Sequence, residues 1–222
     1  MFEVVPVVSS QAPPFPDTLR STMKKWLCLA LLVAVTAWWI HEPDADWRGL
    51  PAAREPEQDT QQLPPPFKHG DYTITPLARY ALQAVVLGRE RYRHDINAAL
   101  SPVDLALGWG PMSAASAING LKISQSGRWY EYRWGAEGPP LAPSEIVRHS
   151  ANTHCIPATP EIRKKLLAVR RHDLVALGGY LVEISGPDGY RWRSSLTRDD
   201  TGGGACEVVW IVSLESARIR SR

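Results

Sequence analysis

Apolar positions along the chain change spacing several times, and each change predicts a different element. From Trp26 to Ile40 they are continuous, preceded by Lys24 and Lys25 and followed by acidic residues. A positive start before an apolar run is the pattern of an export signal or a short membrane anchor. The run is shorter than the roughly 17–20 residues a full span needs, yet Trp38 and Trp39 are what a retained helix places at the interface. Cleavage after Ala37 would start the mature chain on Trp38-Trp39-Ile40. Residues 23–40 are therefore expected to form a retained signal anchor or transmembrane helix. The lysines before it place the C-terminal part outside the cytoplasm. Residues 1–22 carry no export pattern, and Met23 is the expected initiator of an over-extended start.

Residues 41–69 show no apolar period and are rich in Pro, Glu, Asp and Gln, which predicts a semi-stiff tether. Order is expected to begin near Asp71. Thr75-Pro76 offers an N-cap and a proline at the first helical position, and Leu77, Tyr80, Ala81, Ala84 and Val85 then recur at helical spacing. Ser101-Pro102-Val103-Asp104 reads as a capping box opening a second helix that stops at Gly108, and Ser113 to Asn119 as a third.

From Leu121 the spacing turns to that of strands. "LKISQ" and "RWYEYRW" flank Ser126-Gly127 as a hairpin. Ser144 to His149 predicts a turn or two of helix, and Thr159-Pro160 starts another to about Val169. "DLVALGGYLVEI", "YRWRS" and "CEVVWIV" follow as strands, and Gly178-Gly179 within the first implies a bulge or corner. The fold class expected is α+β: anchor, linker, helices, then a small five- or six-stranded antiparallel or mixed sheet or OB/SH3-like barrel. The folded domain is expected over residues 70–214, with 215–222 as a flexible tail.

Composition changes this picture little. Among 222 residues, 44% are hydrophobic and 22% charged, ordinary for a globular chain. A net charge of +2 supplies no electrostatic case for nucleic acid. The 19 prolines gather before residue 67 and around 139–160, which fits a linker and a loop-rich middle. Of three cysteines, Cys28 falls in the apolar run without a lipobox. Cys155 and Cys206 remain, a disulfide pair if the domain is exported and packed thiols if it is not.

Three constellations carry chemistry. The first is "SSLTRDDTGGGACEVVW" (194–210). There Cys206 would act as nucleophile, His149 or His154 as base, Asp199 or Asp200 as orienter, and the Gly202–Gly204 backbone as oxyanion donor. Set against it, Cys206 simply starts a buried strand after a glycine-softened loop. The second is "RHSANTHC", where His149, His154 and Cys155, with Cys206 across the fold, have zinc-like spacing. Without a second paired motif, loop histidines with ordinary partners are expected and no metal is assigned. The third is the arginine–aromatic interleaving of "RWYEYRW" and "YRWR". On strands, Arg128, Tyr130, Tyr132 and Trp134 share one face, and Tyr190 and Trp192 oppose Arg191 and Arg193. Such a face binds rings and anionic groups, although aromatic strand residues also fill cores. The charged stretch "GRERYRHD" (88–95) reads as a charged helix end, either a solvated face or a partner contact.

"YTITPLARYALQAVVLGRERYRHDINAALSPVDLALGWGPMS", "HSAN" and "SSLTRDDTGGGACE" together resemble a family of bacterial proteins of unassigned function. Its members carry one N-terminal hydrophobic segment before a small soluble domain. The resemblance covers about Tyr72 to Val212 and implies an envelope location, with no activity, cofactor or catalytic residue to carry over. The expectation is an inner-membrane, single-pass protein with its C-terminal domain in the periplasm. That domain would serve binding or assembly rather than catalysis. Its partners would be the membrane through residues 26–40 and an envelope protein, peptide or glycan, with no nucleic acid and no cofactor. The alternative is a cysteine-dependent hydrolase or transferase acting through Cys206.

Overall fold

The computed structural model describes Trp26 and residues 52–218. Ten strands dominate the second stretch: β1 (Glu57–Asp59), β2 (Phe67–His69), β3 (Tyr72–Arg91), β4 (Val103–Gly108), β5 (Lys122–Ser126), β6 (Trp129–Arg133), β7 (Ser150–Pro157), β8 (Asp173–Ser185), β9 (Arg191–Arg193) and β10 (Glu207–Arg218). Three short helices, α1 (Ala115–Asn119), α2 (Pro143–Arg148) and α3 (Pro160–Ala168), decorate them. Eight strands form one mixed sheet in the order β1-β3-β4-β7-β10-β8-β9, with β2 also on β3. Because β3 pairs with β8 as well, the sheet closes on itself. β5 and β6 form a separate hairpin.

This architecture corrects the expected α+β class. The eight-stranded mixed sheet replaces both the helices placed before Gly108 and the five- or six-stranded sheet or OB/SH3-like barrel. The stretch 75–91 belongs to β3. Ile74, Ala78, Tyr80, Leu82, Ala84 and Val86 are buried in alternation while Arg79, Ala81 and Gln83 are exposed. Its alanines, leucine, arginine and glutamine favour a helix in isolation. Pairing with β4 on one side and β8 on the other overrides that preference. Pro76 marks a slip in the β3–β8 register between Pro76 and Ala78, where a residue without an N–H is tolerated. In "SPVD" the Ser101 hydroxyl does bond Asp104, at 3.3 Å, but at the head of a strand rather than a helix. All six residues of β4 are buried, as in a strand covered on both faces.

The ordered chain begins earlier than Asp71. Ala52 is buried, and β1 and β2, inside the expected linker, pair with β3. At the other end β10 runs to Arg218 within the expected tail. Among the described residues no helix is long and apolar enough to cross a membrane, which overturns the transmembrane helix and signal anchor for this part of the chain. Residues 23–40, on which that expectation rested, lie outside the described residues apart from Trp26.

One apolar cluster fills the closed sheet, drawing Tyr80, Leu105, Cys155, Leu181 and Val209 from its five ring strands, Trp109 from just after β4, and Ile162 and Leu166 from α3. α3 starts where Thr159-Pro160 indicated, with the Thr159 Oγ1 accepting from the Ile162 N–H at 3.3 Å. Gly178 and Gly179 lie opposite a register slip between Ile211 and Ser213 of β10. A Cβ on Gly179 would collide with the Trp210 carbonyl, so only glycine lets the two backbones approach. A second cluster, Val85, Leu87, Ala106, Met112 and Ile118, lies outside the ring and is covered by Ile123, Tyr130 and Tyr132 of the hairpin.

Candidate functional site

Arg128, at its turn, anchors the hairpin to the outer face of β4 and β7. Gly127 and Arg128 form its two-residue turn, both with positive φ (56° and 67°), the geometry that matches strand twist. A non-glycine residue in that region is strained by about 1 kcal/mol or more, and the contacts of Arg128 hold it there. Its N–H donates to the Tyr92 hydroxyl at 2.9 Å. Its guanidinium reaches Asp104 at 3.0 Å, Asp95 at 2.8 Å and the Ser101 carbonyl at 3.0 Å, and lies over the Tyr92 ring at 4.0 Å. Asp104 is fully buried and is also bonded by His154 Nδ1 at 2.8 Å, while the His154 ring packs on Trp192. "SANTH" has no apolar alternation and reads as a loop, yet it forms the strand β7 that carries His154. Its Ser150, Asn152 and His154 side chains are buried by being paired.

Beside this network the hairpin and the glycine loop 200–206 meet over β7 and α2 and enclose a cleft of about 190 Å³. Trp129, Tyr130 and Tyr132 form one wall, Ser150, Ala151 and Asn152 the floor, and Asp200, Thr201, Gly202, Ala205 and Cys206 the other wall. Tyr132 stacks on Trp134 at 6.3 Å, which stiffens the aromatic wall. Asn152 is committed on both ends: its Oδ1 accepts from Gln125 at 2.8 Å, and its Nδ2 donates to the Arg128 carbonyl at 3.1 Å and approaches Cys206 Sγ at 3.8 Å. The Ser150 hydroxyl donates to the Ile146 carbonyl at 2.7 Å. One oxygen of Asp200 accepts from the Ser195 hydroxyl at 2.6 Å.

The residues singled out from the sequence separate accordingly. Cys206, Tyr130 and Tyr132 come together in the cleft, with Trp134 stacked behind them. Arg128 is drawn away from any ligand into the buried network. Arg191 and Arg193 lie on β9 and both pair with Glu183. The two histidines have partners other than Cys206: His154 bonds Asp104, and His149 bonds the Glu145 carbonyl at 2.9 Å and the Glu55 carboxylate at 3.1 Å. Asp199 pairs with Arg148 in solvent at 2.7 Å and orients neither histidine.

These surroundings do not favour Cys206 as a nucleophile. Its sulfur touches Asn152, and burial pushes its pKa up to about 11, with Glu207, Asp104 and Asp200 adding to the shift. A thiolate nucleophile needs the reverse environment. At pH 7 the rise from 9.0 to about 11 leaves roughly 100-fold less thiolate. Iodoacetamide is accordingly expected to modify Cys206 about 100-fold more slowly in the folded protein than in urea, followed by mass spectrometry. Equal rates would restore a reactive thiol.

Nor does the geometry favour the disulfide. Both cysteines are free. Cys155 is paired with Val209, three residues beyond Cys206, and points into the ring while Cys206 faces the cleft. Three strand residues span roughly 10 Å, beyond the about 7 Å that a bridge tolerates. Among the described residues no three metal-ligating side chains converge, so His149, His154, Cys155 and Cys206 do not form one set.

Behind the cleft, inside the ring, lies a cluster the sequence reading missed. Glu207 is 1% exposed, and its carboxylate lies 3.5 Å from Arg198 of the same loop. The Tyr80 hydroxyl, Thr153 Oγ1, Glu207 Oε2 and Arg198 Nη1 are all buried without a hydrogen-bond partner. Burial raises the Glu207 pKa to about 8, opposed by Arg198. The signal was the single acidic residue of the otherwise apolar "CEVVWIV". No family model, curated protein or solved structure matches the chain, so the family resemblance rests on the quoted stretches alone.

Proposed function

We propose that the folded part of this chain is a non-catalytic binding domain whose cleft takes a small ligand or one side chain of a partner. The observation that carries this reading is the convergence of the aromatic strand β6 and the glycine loop on one cleft, where Cys206 is held as a thiol. Two tyrosines and a half-exposed Trp129 offer ring faces, and a concave, largely apolar and aromatic lining is the usual form of a small-ligand site. Nothing favours the hydrolase alternative, since neither histidine bonds the sulfur.

The test is a fragment screen on the isotope-labelled full-length protein, read at the Trp129 indole and Asn152 amide signals. Ring-containing fragments are expected to shift both. Tyr132→Ala should weaken them about tenfold, while Cys206→Ser leaves affinity within about threefold. Fragments that leave both signals unmoved would defeat the reading.

A further inference from the structure

We infer that the cleft selects a compact cation, an alkylammonium or methylated ammonium head, over neutral and anionic ligands of the same size. This rests on the proposed binding role and names the ligand class for it. The polar groups of the floor are already used by the fold. Asn152 serves Gln125 and the hairpin backbone, and the Ser150 hydroxyl serves α2. A sugar would need such groups free for its hydroxyls. What the walls still offer are the faces of Trp129, Tyr130 and Tyr132 and the carboxylate of Asp200.

Ring faces carry partial negative charge and attract cations. None of the lining residues is basic, and Asp200 is the one that is acidic. The nearby arginines are engaged elsewhere: Arg128 with Asp104 and Asp95, Arg148 with Asp199, and Arg198 with Gln58 and Glu207. Asp200 also pushes the proton affinity of Cys206 upward, as a negative charge beside the cleft does. Ser195 holds Asp200 in place at 2.6 Å. A volume near 190 Å³ is below the about 300 Å³ of drug-sized sites and suits a head group rather than a whole molecule.

The probes are choline, a doubly blocked trimethyl-lysine and 3,3-dimethylbutanol, the neutral isostere of choline. Each is titrated into the full-length protein and read at the Trp129 indole. Choline is expected to bind about tenfold tighter than the isostere, and both Asp200→Asn and Tyr132→Leu should remove that preference. Tighter binding of the blocked trimethyl-lysine than of choline would make the source a modified side chain, and the reverse a free amine. Equal binding of choline and its isostere overturns the cation selectivity and leaves the binding role intact. If no probe shifts the cleft but ring fragments do, the cation inference alone falls. If neither does, both fall.

Discussion

Replacing Asp104 by alanine is expected to cost about 3–5 kcal/mol of stability, the range found when one partner of a buried ion pair is removed. The carboxylate is fully buried and accepts from Arg128, His154 and Ser101. Alanine would leave a guanidinium only 14% exposed to be held by Asp95 and one carbonyl. Domains of this kind have about 5–15 kcal/mol in total, so the variant would lie near its folding threshold. The loss should also reach the cleft, because Arg128 is the turn residue that keeps the β5–β6 hairpin, and with it Tyr130 and Tyr132, against β7. Urea unfolding of Asp104→Ala, Arg128→Met and the double variant measures the coupling. The double variant should cost clearly less than the two single losses added together. A loss below about 1 kcal/mol for Asp104→Ala would mean that the network behaves as a solvated surface pair.

The second large effect is a pH dependence set by Glu207. Its ordinary pKa of 4.5 rises to about 8 on folding, chiefly through burial. The folded chain therefore binds a proton that the unfolded chain releases between these values. Stability from this group is fully present below pH 4.5, declines as pH rises, and is lost above about 8. At about 1.4 kcal/mol per unit the total is about 4–5 kcal/mol as an upper limit. Charging Glu207 inside the ring would set it beside the buried Tyr80 hydroxyl and Thr153, with Arg198 as its partner. Glu207→Gln cannot charge, so it should match the parent near pH 4.5 and exceed it by several kcal/mol near pH 9. Melting at several pH values in both proteins gives the difference curve. A difference that stays constant across that range would show that Glu207 titrates alike in both states. Because Glu207 and Arg198 flank the glycine loop, alkaline pH should also loosen the cleft wall carrying Asp200 and Cys206.

Much of the second half of the fold was legible in the sequence because its signals are local. Thr159-Pro160 carries its own N-cap geometry, Gly127 its left-handed turn, and "DLVALGGYLVEI" its strand preference, and none depends on a distant segment. The first half was misread because its signals conflict. The alanines and glutamine between Pro76 and Val85 suit a helix, and the alternation of Ile74, Ala78, Tyr80, Leu82 and Ala84 suits a strand just as well. The choice between them belongs to β4 and β8, tens of residues away. The same holds for "SANTHC": a polar run is a central strand only when Asp104, Gln125 and Arg128 arrive to pair with it.

The candidate site divides along the same line. Composition and spacing alone determined which side chains were available: a loop of glycines before Cys206, an aromatic strand, and histidines near a cysteine. Tertiary structure decided their roles. It placed Tyr130, Tyr132 and Cys206 in one cleft, turned Arg128 inward, separated Cys155 from Cys206 by three strand positions on opposite faces, and gave both histidines other partners. Residue type sets what a group can do. Burial and contact across the sheet set its charge and its reach, and only the closed fold supplies those.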